Sequence, residues 1–136
     1  MDSHQAQASS NDRSILLIDD QRIFLKAIST ILGEWGYQVT GCTSPIEALA
    51  LLKENAYSLV LCDLYMDSFS GYKLLYRFLQ EKPEQVCCLM TSAENDEPLL
   101  RKTLALANVK ALLRKPISYQ ELKKILTDMR RVTVAS

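Results

Sequence analysis

Three acids, one hydroxyl and one amine stand at the carboxyl-terminal ends of apolar segments in this 136-residue chain. They are Asp19, Asp20, Asp63, Thr91 and Lys115. If the apolar segments are parallel strands, their ends lie on one edge of a sheet, where the ligands of open α/β sheets bind. Three carboxylates that meet there repel one another unless a counter-charge is present. Mg²⁺ suits such a site because it binds a few carboxylates and keeps several of its waters.

Asp63 is the residue around which this chemistry would be built, because it directly follows the apolar run 59–62. A carboxylate beside Mg²⁺ and an ammonium group can attack phosphorus and form an aspartyl phosphate. The metal and Lys115 would neutralise charge on the transferred oxygens, and Thr91 could donate its hydroxyl to one of them. Each residue also has a structural interpretation, as a helix cap, a turn residue or a solvated surface charge. Finding these types together at four strand ends favours a shared site.

Composition and charge narrow the class of protein. The hydrophobic fraction is 48% and the charged fraction 24%, which is typical of one soluble globular domain of this length. Sixteen basic residues balance sixteen acidic ones, so no overall field favours nucleic acid or an anionic membrane. No apolar run approaches the roughly 20 residues that span a bilayer, and residues 1–13 lack the apolar core of a signal peptide. We therefore expect a cytoplasmic protein.

The cysteines agree with that compartment. The chain has four of them, Cys42, Cys62, Cys87 and Cys88, and no two are spaced as a Cys-x-x-Cys pair. Three lie inside apolar runs that are typical of strands. We expect buried thiols in a reducing environment, and neither a zinc site nor a disulfide framework.

The elements that would position the site alternate regularly along the chain. Apolar runs predict four strands, at residues 14–18, 58–63, 86–90 and 109–113, and alternating apolar and polar residues predict a fifth at 38–43. Apolar residues at helical spacing predict five helices, at residues 21–35, 45–55, 71–80, 98–107 and from 119 onward. Strict alternation implies right-handed crossovers and a parallel sheet between two layers of helices. We expect one domain at residues 14–132, a flexible tail at 1–13 and a short tail at 133–136.

Capping residues sharpen several of these boundaries. Gly36 is a plausible stop for the first helix, and Ser44 with Glu47 predicts a capping box at the start of the second. Asn108 stands where a left-handed C-cap would end the fourth helix. Ser118 begins a second capping box, ahead of the last helix.

The site residues, in this order, resemble the receiver domain of bacterial two-component response regulators, the chemotaxis-regulator-like family. The family pattern is an acidic pair after the first strand, an acceptor Asp after the third, Ser or Thr after the fourth and Lys-Pro after the fifth. Here these are Asp19-Asp20, Asp63, Thr91 and Lys115-Pro116, and the resemblance covers about residues 14–131. It implies a flavodoxin-like, doubly wound α/β fold, with five parallel strands in the order 2-1-3-4-5 and five helices in a three-layer sandwich.

The resemblance also implies a role for each residue. Asp63 would accept a phosphoryl group from a sensor histidine kinase, a histidine phosphotransfer protein or a small acyl-phosphate donor. Asp20 would bind Mg²⁺ directly, Asp19 would help through water, and the backbone carbonyl of Tyr65 would complete the protein ligands. Thr91 and Lys115 would hold the phosphoryl group.

The chain departs from the family pattern at two positions. Asp67 replaces the Pro that usually follows Met in the loop after the acceptor, which leaves the loop less stiff and adds a charge near the site. The alternative interpretation of Asp67 is a plain turn residue. Leu112 stands where many members carry an aromatic residue that swings inward in the active state, so that version of signal relay is not available here. Tyr65 and Ala93 flank the route by which water would attack the acyl phosphate. We expect Tyr65 to screen the phosphoryl group partly and Ala93 not to orient a water.

The expected function is a phosphoacceptor switch that alters the surface of the last helices and fifth strand. In the family this surface serves dimerisation or partner docking. Its candidate residues here are Leu99, Leu100, Arg101, Lys102, Lys110, Tyr119 and Lys123. The sequence does not distinguish a stand-alone receiver from the N-terminal part of a longer regulator with an output domain.

Two other functions compete with this one. A degenerate receiver would act as an interaction domain without phosphorylation, although the full set of five site residues argues against it. An Asp-nucleophile phosphatase would have a similar α/β core. Such enzymes typically carry a second acid two residues after the nucleophile, where this chain has Tyr65, and the chain has no cap domain to select a substrate.

Overall fold

The computed structural model of the chain describes residues 13–67, 69–92 and 97–135. The strands are β1 (Ser14–Ile18), β2 (Gln38–Cys42), β3 (Leu59–Asp63), β4 (Tyr65–Met66), β5 (Phe69–Ser70), β6 (Cys87–Thr91) and β7 (Val109–Arg114). The helices are α1 (Arg22–Glu34), α2 (Pro45–Glu54), α3 (Gly71–Glu81), α4 (Glu97–Leu104) and α5 (Tyr119–Ala135). Within these ranges no helix combines the length and the apolar character that a membrane crossing requires.

Five of the strands form one parallel sheet in the order β2-β1-β3-β6-β7. Strands β4 and β5 are two-residue segments that pair antiparallel with each other, just after the central strand. When only the five strands of the large sheet are counted, the order is 2-1-3-4-5. The predicted doubly wound α/β fold is therefore confirmed.

The inner strands β1, β3 and β6 are buried on both faces of the sheet, which explains why they are apolar without alternation. One face packs against α2, α3 and α4 through residues such as Leu52, Leu74 and Phe78. The other face packs against α1 and α5 through residues such as Leu32 and Leu122. Every residue of β3 is buried, so the strand that ends in Asp63 is the centre of the three layers.

Most predicted helix boundaries are confirmed by their caps. Gly36 follows α1 with a φ of 95°, a left-handed conformation that glycine adopts without strain. The Ser44 hydroxyl accepts a hydrogen bond from the backbone N–H of Glu47 at 3.3 Å, at the start of α2. The Ser118 hydroxyl accepts one from the N–H of Glu121 at the same distance, at the start of α5. These serines satisfy N–H groups that have no partner within the helix.

One capping prediction is wrong. Asn108 does not end a helix in the left-handed conformation, because no non-glycine residue in the described ranges has a positive φ. Helix α4 already ends at Leu104, and Asn108 is buried. Its side-chain amide donates a hydrogen bond of 3.1 Å to the backbone carbonyl of Leu75 in α3. This contact between distant segments decides the role of Asn108, and local sequence does not reveal it.

Smaller differences concern the ends of the chain. Residues 1–12 of the predicted N-terminal tail lie outside the described residues, and the Arg13 guanidinium lies 5.5 Å from the centroid of the Tyr37 ring. Helix α5 continues to Ala135, so residues 133–135 of the predicted C-terminal tail are helical. No Gly or Pro interrupts the sequence there, and the helical backbone continues.

All four cysteines are buried free thiols, as predicted. Burial raises the pKa of the Cys42 thiol to about 11 and that of Cys88 to about 12. Since the thiolate is the reactive form, these cysteines act as small core residues.

Candidate functional site

The predicted site residues lie at the ends of neighbouring strands. Asp19 follows β1, Asp63 ends β3, Thr91 ends β6 and Lys115 follows β7. Asp63 is level with Met90 of β6, so Thr91 lies one residue beyond it on the adjacent strand. The backbone N–H of Lys115 donates to the carbonyl of Thr91 at 2.8 Å and joins the last two strand ends. The parallel sheet thus brings these segments to one edge.

Three carboxylates form the acidic part of this edge. One oxygen from each of Asp19, Asp20 and Asp63 lies within 4.8 Å of the others. Asp19 is fully buried and Asp63 is 5% exposed, whereas Asp20 is partly exposed at the mouth. Hard carboxylate oxygens at this spacing are the donors that Mg²⁺ prefers, so the residues fit the metal implied by the resemblance.

Lys115 supplies the positive charge among these acids. Its ammonium Nζ lies 2.6 Å from Asp19 Oδ2 and 3.5 Å from Asp63 Oδ1, and its side chain is 11% exposed. Three carboxylates and one ammonium carry a formal charge of −3 + 1 = −2 when all are ionised. A divalent cation would balance this surplus.

Burial and the neighbouring charges change the protonation of Asp63. Burial raises the pKa of its carboxyl group from the ordinary 3.8 to about 6. The ammonium of Lys115 lowers the pKa and the carboxylate of Asp19 raises it, but desolvation is the largest effect. Asp63 is therefore mainly an anion at neutral pH, at a cost that a bound cation would reduce.

Backbone N–H groups hold the other two acids in place. The N–H of Gln21 donates to Asp19 Oδ1 at 2.9 Å, and the N–H of Asp67 donates to Asp20 Oδ2 at 2.6 Å. Position 67 is where family members usually carry Pro, which has no N–H to donate. The departure from the family pattern therefore adds a hydrogen bond that ties the loop after β3 to Asp20.

Two residues at the site were not singled out from the sequence. A Cβ on Gly71 would overlap the backbone carbonyl oxygen of Asp63, so the first residue of α3 must be glycine. The ring of Phe24 lies 4.1 Å from Lys115 Nζ, measured to the ring centroid. Gly71 could have been suspected from its place at a helix start after a polar loop. Phe24 looked like one more core residue of α1.

The remaining predicted residues lie around the site or beyond it. Tyr65 is 37% exposed in β4, two residues after Asp63. Leu112 is partly buried in β7 and packs against the core on the side of α2, α3 and α4. Ala93 lies outside the described residues.

Comparison with known proteins points to one family. The response regulator receiver domain family matches residues 15–127. The two-component response regulator ORR22 of Oryza sativa subsp. indica is 33% identical over 113 residues, which are 82% of this chain and 16% of that protein. The regulatory protein VanRB of Enterococcus faecalis is 31% identical over 87 residues, which are 64% of this chain and 39% of that protein.

Solved structures share the fold. The signal receiver domain of an HD domain-containing protein from Pseudomonas fluorescens Pf-5 has a TM-score of 0.83 and 26% identity, over 92% of this chain and 91% of that chain. A CheY-like response regulator receiver domain protein from Methanospirillum hungatei JF-1 has a TM-score of 0.75 and 23% identity, over 88% of this chain and 97% of that chain, which shows likeness of fold alone.

The chain spans less than half the length of the two curated relatives named above. With the family match over most of its length and the sheet order of that fold, the chain belongs to the response regulator receiver domain family.

Proposed function

We propose that residues 14–132 form a phosphoacceptor switch of a two-component system, in which Asp63 receives the phosphoryl group. The observation that carries this proposal is the buried carboxylate of Asp63, which lies in a three-acid cluster with Lys115 Nζ at 3.5 Å. The raised pKa of Asp63 reflects the same burial. A buried acid kept beside two others is costly, and a role in chemistry accounts for that cost.

The proposed donor is the phosphohistidine of a sensor histidine kinase or of a histidine phosphotransfer protein. Receiver domains interact with such partners in two-component systems. An ionised oxygen of Asp63 attacks the phosphorus, the new O–P bond forms and the P–N bond breaks. The electron pair of the P–N bond stays with the imidazole nitrogen, which takes up a proton. A small acyl phosphate would react in the same way, with a carboxylate as the leaving group.

The other residues of the site bind and orient. Receiver domains bind Mg²⁺ through an acidic pocket, and here Asp19, Asp20 and Asp63 form such a cluster. We assign the metal to these three acids and to the backbone carbonyl of Tyr65. When bound, the ion would neutralise negative charge on the transferred oxygens. Lys115 and Thr91 would bind the phosphoryl oxygens once they reach Asp63.

Phosphorylation would then change the surface beyond the site. A phosphoryl group adds about −1.5 to −2 charge and strong acceptor oxygens. Lys115 would turn from Asp19 toward this charge, and Thr91 would donate to it. Because the two residues share a backbone hydrogen bond, the ends of β6 and β7 would move together. The surface of α4, β7 and α5 would change, and there a partner, an output domain or a second copy of the chain would dock.

We assign the protein to the cytoplasm and give it no catalytic role beyond self-phosphorylation from small donors and slow self-dephosphorylation. Leu112 cannot present a hydroxyl, so the relay would depend on Thr91 and Lys115. The domain itself would contact neither nucleic acid nor membrane.

Intact-mass measurement tests the proposal. The protein is incubated with acetyl phosphate, with Mg²⁺ or with EDTA, beside the variants Asp63→Asn and Lys115→Ala. With acetyl phosphate, we expect the wild type to gain one phosphoryl group in Mg²⁺ but not in EDTA. We expect no gain in Asp63→Asn and a reduced gain in Lys115→Ala. Equal masses with and without acetyl phosphate would support a degenerate interaction domain. Multiple turnover on a phosphomonoester would support a phosphatase.

A further inference from the structure

The ammonium group of Lys115 has a third neighbour besides the two carboxylates. The ring of Phe24, in the first turn of α1, lies 4.1 Å from Nζ to its centroid. Phe24 is partly buried and packs against the core on the side of α1 and α5. The face of an aromatic ring carries partial negative charge and attracts a cation at this distance. The contact is therefore electrostatic as well as apolar.

The three neighbours act on the ammonium in different ways. Asp19 lies within hydrogen-bond distance at 2.6 Å, and Asp63 lies farther away at 3.5 Å. An ammonium has three N–H donors and a strongly bound hydration shell. A ring on one side excludes water from that side without offering a strong competing acceptor. Lys115 is thereby held at the acids, yet remains free to turn between them.

The backbone couples the ring to the acidic residues. Asp19 Oδ1 accepts the N–H of Gln21, whose carbonyl accepts the N–H of Leu25 at 2.9 Å. Phe24 precedes Leu25 in this same turn. The segment that fixes the carboxylate of Asp19 therefore also fixes the ring.

We propose that Phe24 is a positioning residue that holds the Lys115 ammonium beside Asp63 through its ring face. This inference rests on the proposed function, since the benefit of the position is phosphoryl transfer to Asp63. A leucine at position 24 would fill similar space but would not attract the cation. A tyrosine would keep the attraction.

The first test needs no phosphorylation. The ε-methylene protons of Lys115 are followed by NMR in the wild type and in Phe24→Leu, Phe24→Met and Phe24→Tyr, each checked for folding by thermal unfolding. We expect an upfield ring-current shift in the wild type that Phe24→Tyr keeps and the two aliphatic variants lose. Ile23→Ala is the matched control, because Ile23 is the preceding residue and is 88% exposed. It should leave the shift unchanged.

The second test compares the rates at which acetyl phosphate labels these proteins in Mg²⁺. A lost cation–π contact should slow labelling about threefold to tenfold in Phe24→Leu and Phe24→Met. Phe24→Tyr should keep the labelling rate of the wild type, and so should Ile23→Ala.

Either of two results would overturn the inference while the proposed function stands. One is labelling of Phe24→Leu at the rate of Phe24→Tyr, and the other is an ε-methylene shift that Phe24→Leu does not change. An unlabelled wild type would instead reject the proposed function and, with it, a role for Phe24 in transfer. The NMR comparison would still show where the ring lies.

Discussion

At the scale of single residues, the ionised carboxylate of Asp63 opposes folding when no cation is bound. Its folded-state pKa of about 6 lies above the ordinary 3.8, so the folded protein binds the proton more tightly than the unfolded chain does. The contribution of Asp63 to stability is therefore fully present below pH 4 and is lost as the pH rises through about 6. Above that range the group is charged in both states, and its desolvation remains a cost.

The variant Asp63→Asn tests whether the ionised carboxylate of Asp63 lowers the stability of the folded protein. In EDTA at pH 7 the variant should be more stable than the wild type by about 1–3 kcal/mol, because it removes a buried charge. The difference in the free energy of unfolding should shrink as the pH falls from 6 to 4. Urea unfolding at several pH values measures it. A variant that is less stable at pH 7, with a difference independent of pH, would contradict this account.

Tyr65 is expected to set the lifetime of the phosphoryl group. Its side chain is 37% exposed and stands two residues after Asp63, where water would approach. Replacing it with Asn should speed dephosphorylation several-fold, since a smaller polar side chain screens less and can orient water. Phe at this position keeps the ring and should keep the rate. The measurement is the decay of labelled protein after the donor is removed, and an unchanged rate in Tyr65→Asn would reject the idea.

At the scale of elements, the junction of β3 and α3 holds the acceptor in place. The N–H of Gly71 donates to the carbonyl of Leu64 at 2.6 Å, and the helix starts directly against the carbonyl of Asp63. The three atoms nearest to a Cβ at position 71 are all backbone atoms of Asp63 and Leu64. Helix α3 therefore fixes the backbone on which the reactive carboxylate stands.

Gly71→Ala should destabilise the protein by about 1–3 kcal/mol, because the new methyl group meets backbone atoms that cannot yield. It should also slow the labelling of Asp63. Gly33→Ala is the matched control: Gly33 lies in α1, and a Cβ there meets nothing within 4 Å. That variant should be neutral or more stable by about 0.5–1 kcal/mol. Equal free energies of unfolding for the two variants would contradict the proposed contact.

Local sequence was sufficient for the elements whose signals are local. The apolar run 59–62 and the hydroxyl of Ser44 predict a strand and a helix start without knowledge of the rest of the chain. Asn108 was misread because its partner, the carbonyl of Leu75, lies in another helix. The short strands β4 and β5 are too brief for a periodic signal. A contact between distant segments decided the role of Asn108, whereas β4 and β5 pair with each other across a short loop.

The candidate site also has features that the sequence could predict and features that it could not. The acids could be predicted because the topology places the ends of parallel strands together. The contact of Phe24 with Lys115 could not, because it depends on the angle at which α1 packs against the sheet. The hydrogen bond from the N–H of Asp67 to Asp20 could not be predicted either, because a backbone N–H gives no signal in the sequence.

At the scale of the whole molecule, phosphorylation is expected to change what the domain binds. The chain has no net charge, so a phosphoryl group of about −1.5 to −2 charge would make the domain a net anion, with the added charge concentrated at the site. Exposed residues on the expected docking surface include Lys102, Lys110 and Tyr119. The phosphoryl group can shift the equilibrium between the inactive and active conformations only by as much as it stabilises one conformation more than the other.

Beryllofluoride, a phosphoryl mimic, tests this switch. With Mg²⁺ it should change the mass of the protein in solution or its affinity for a cognate partner, because the docking surface is altered. Light scattering and a binding titration measure the two quantities. Asp63→Asn should show neither change. A wild type that binds the mimic yet keeps both its mass and its partner affinity would contradict a switch.

The most direct test of the central claim is to find the residue that is modified. After incubation with acetyl phosphate and Mg²⁺, borohydride reduction converts an aspartyl phosphate to homoserine, and peptide mass spectrometry locates it. We predict homoserine at position 63 alone, and none when EDTA replaces Mg²⁺. Modification at another residue, or at Asp63 equally without the metal, would contradict the account.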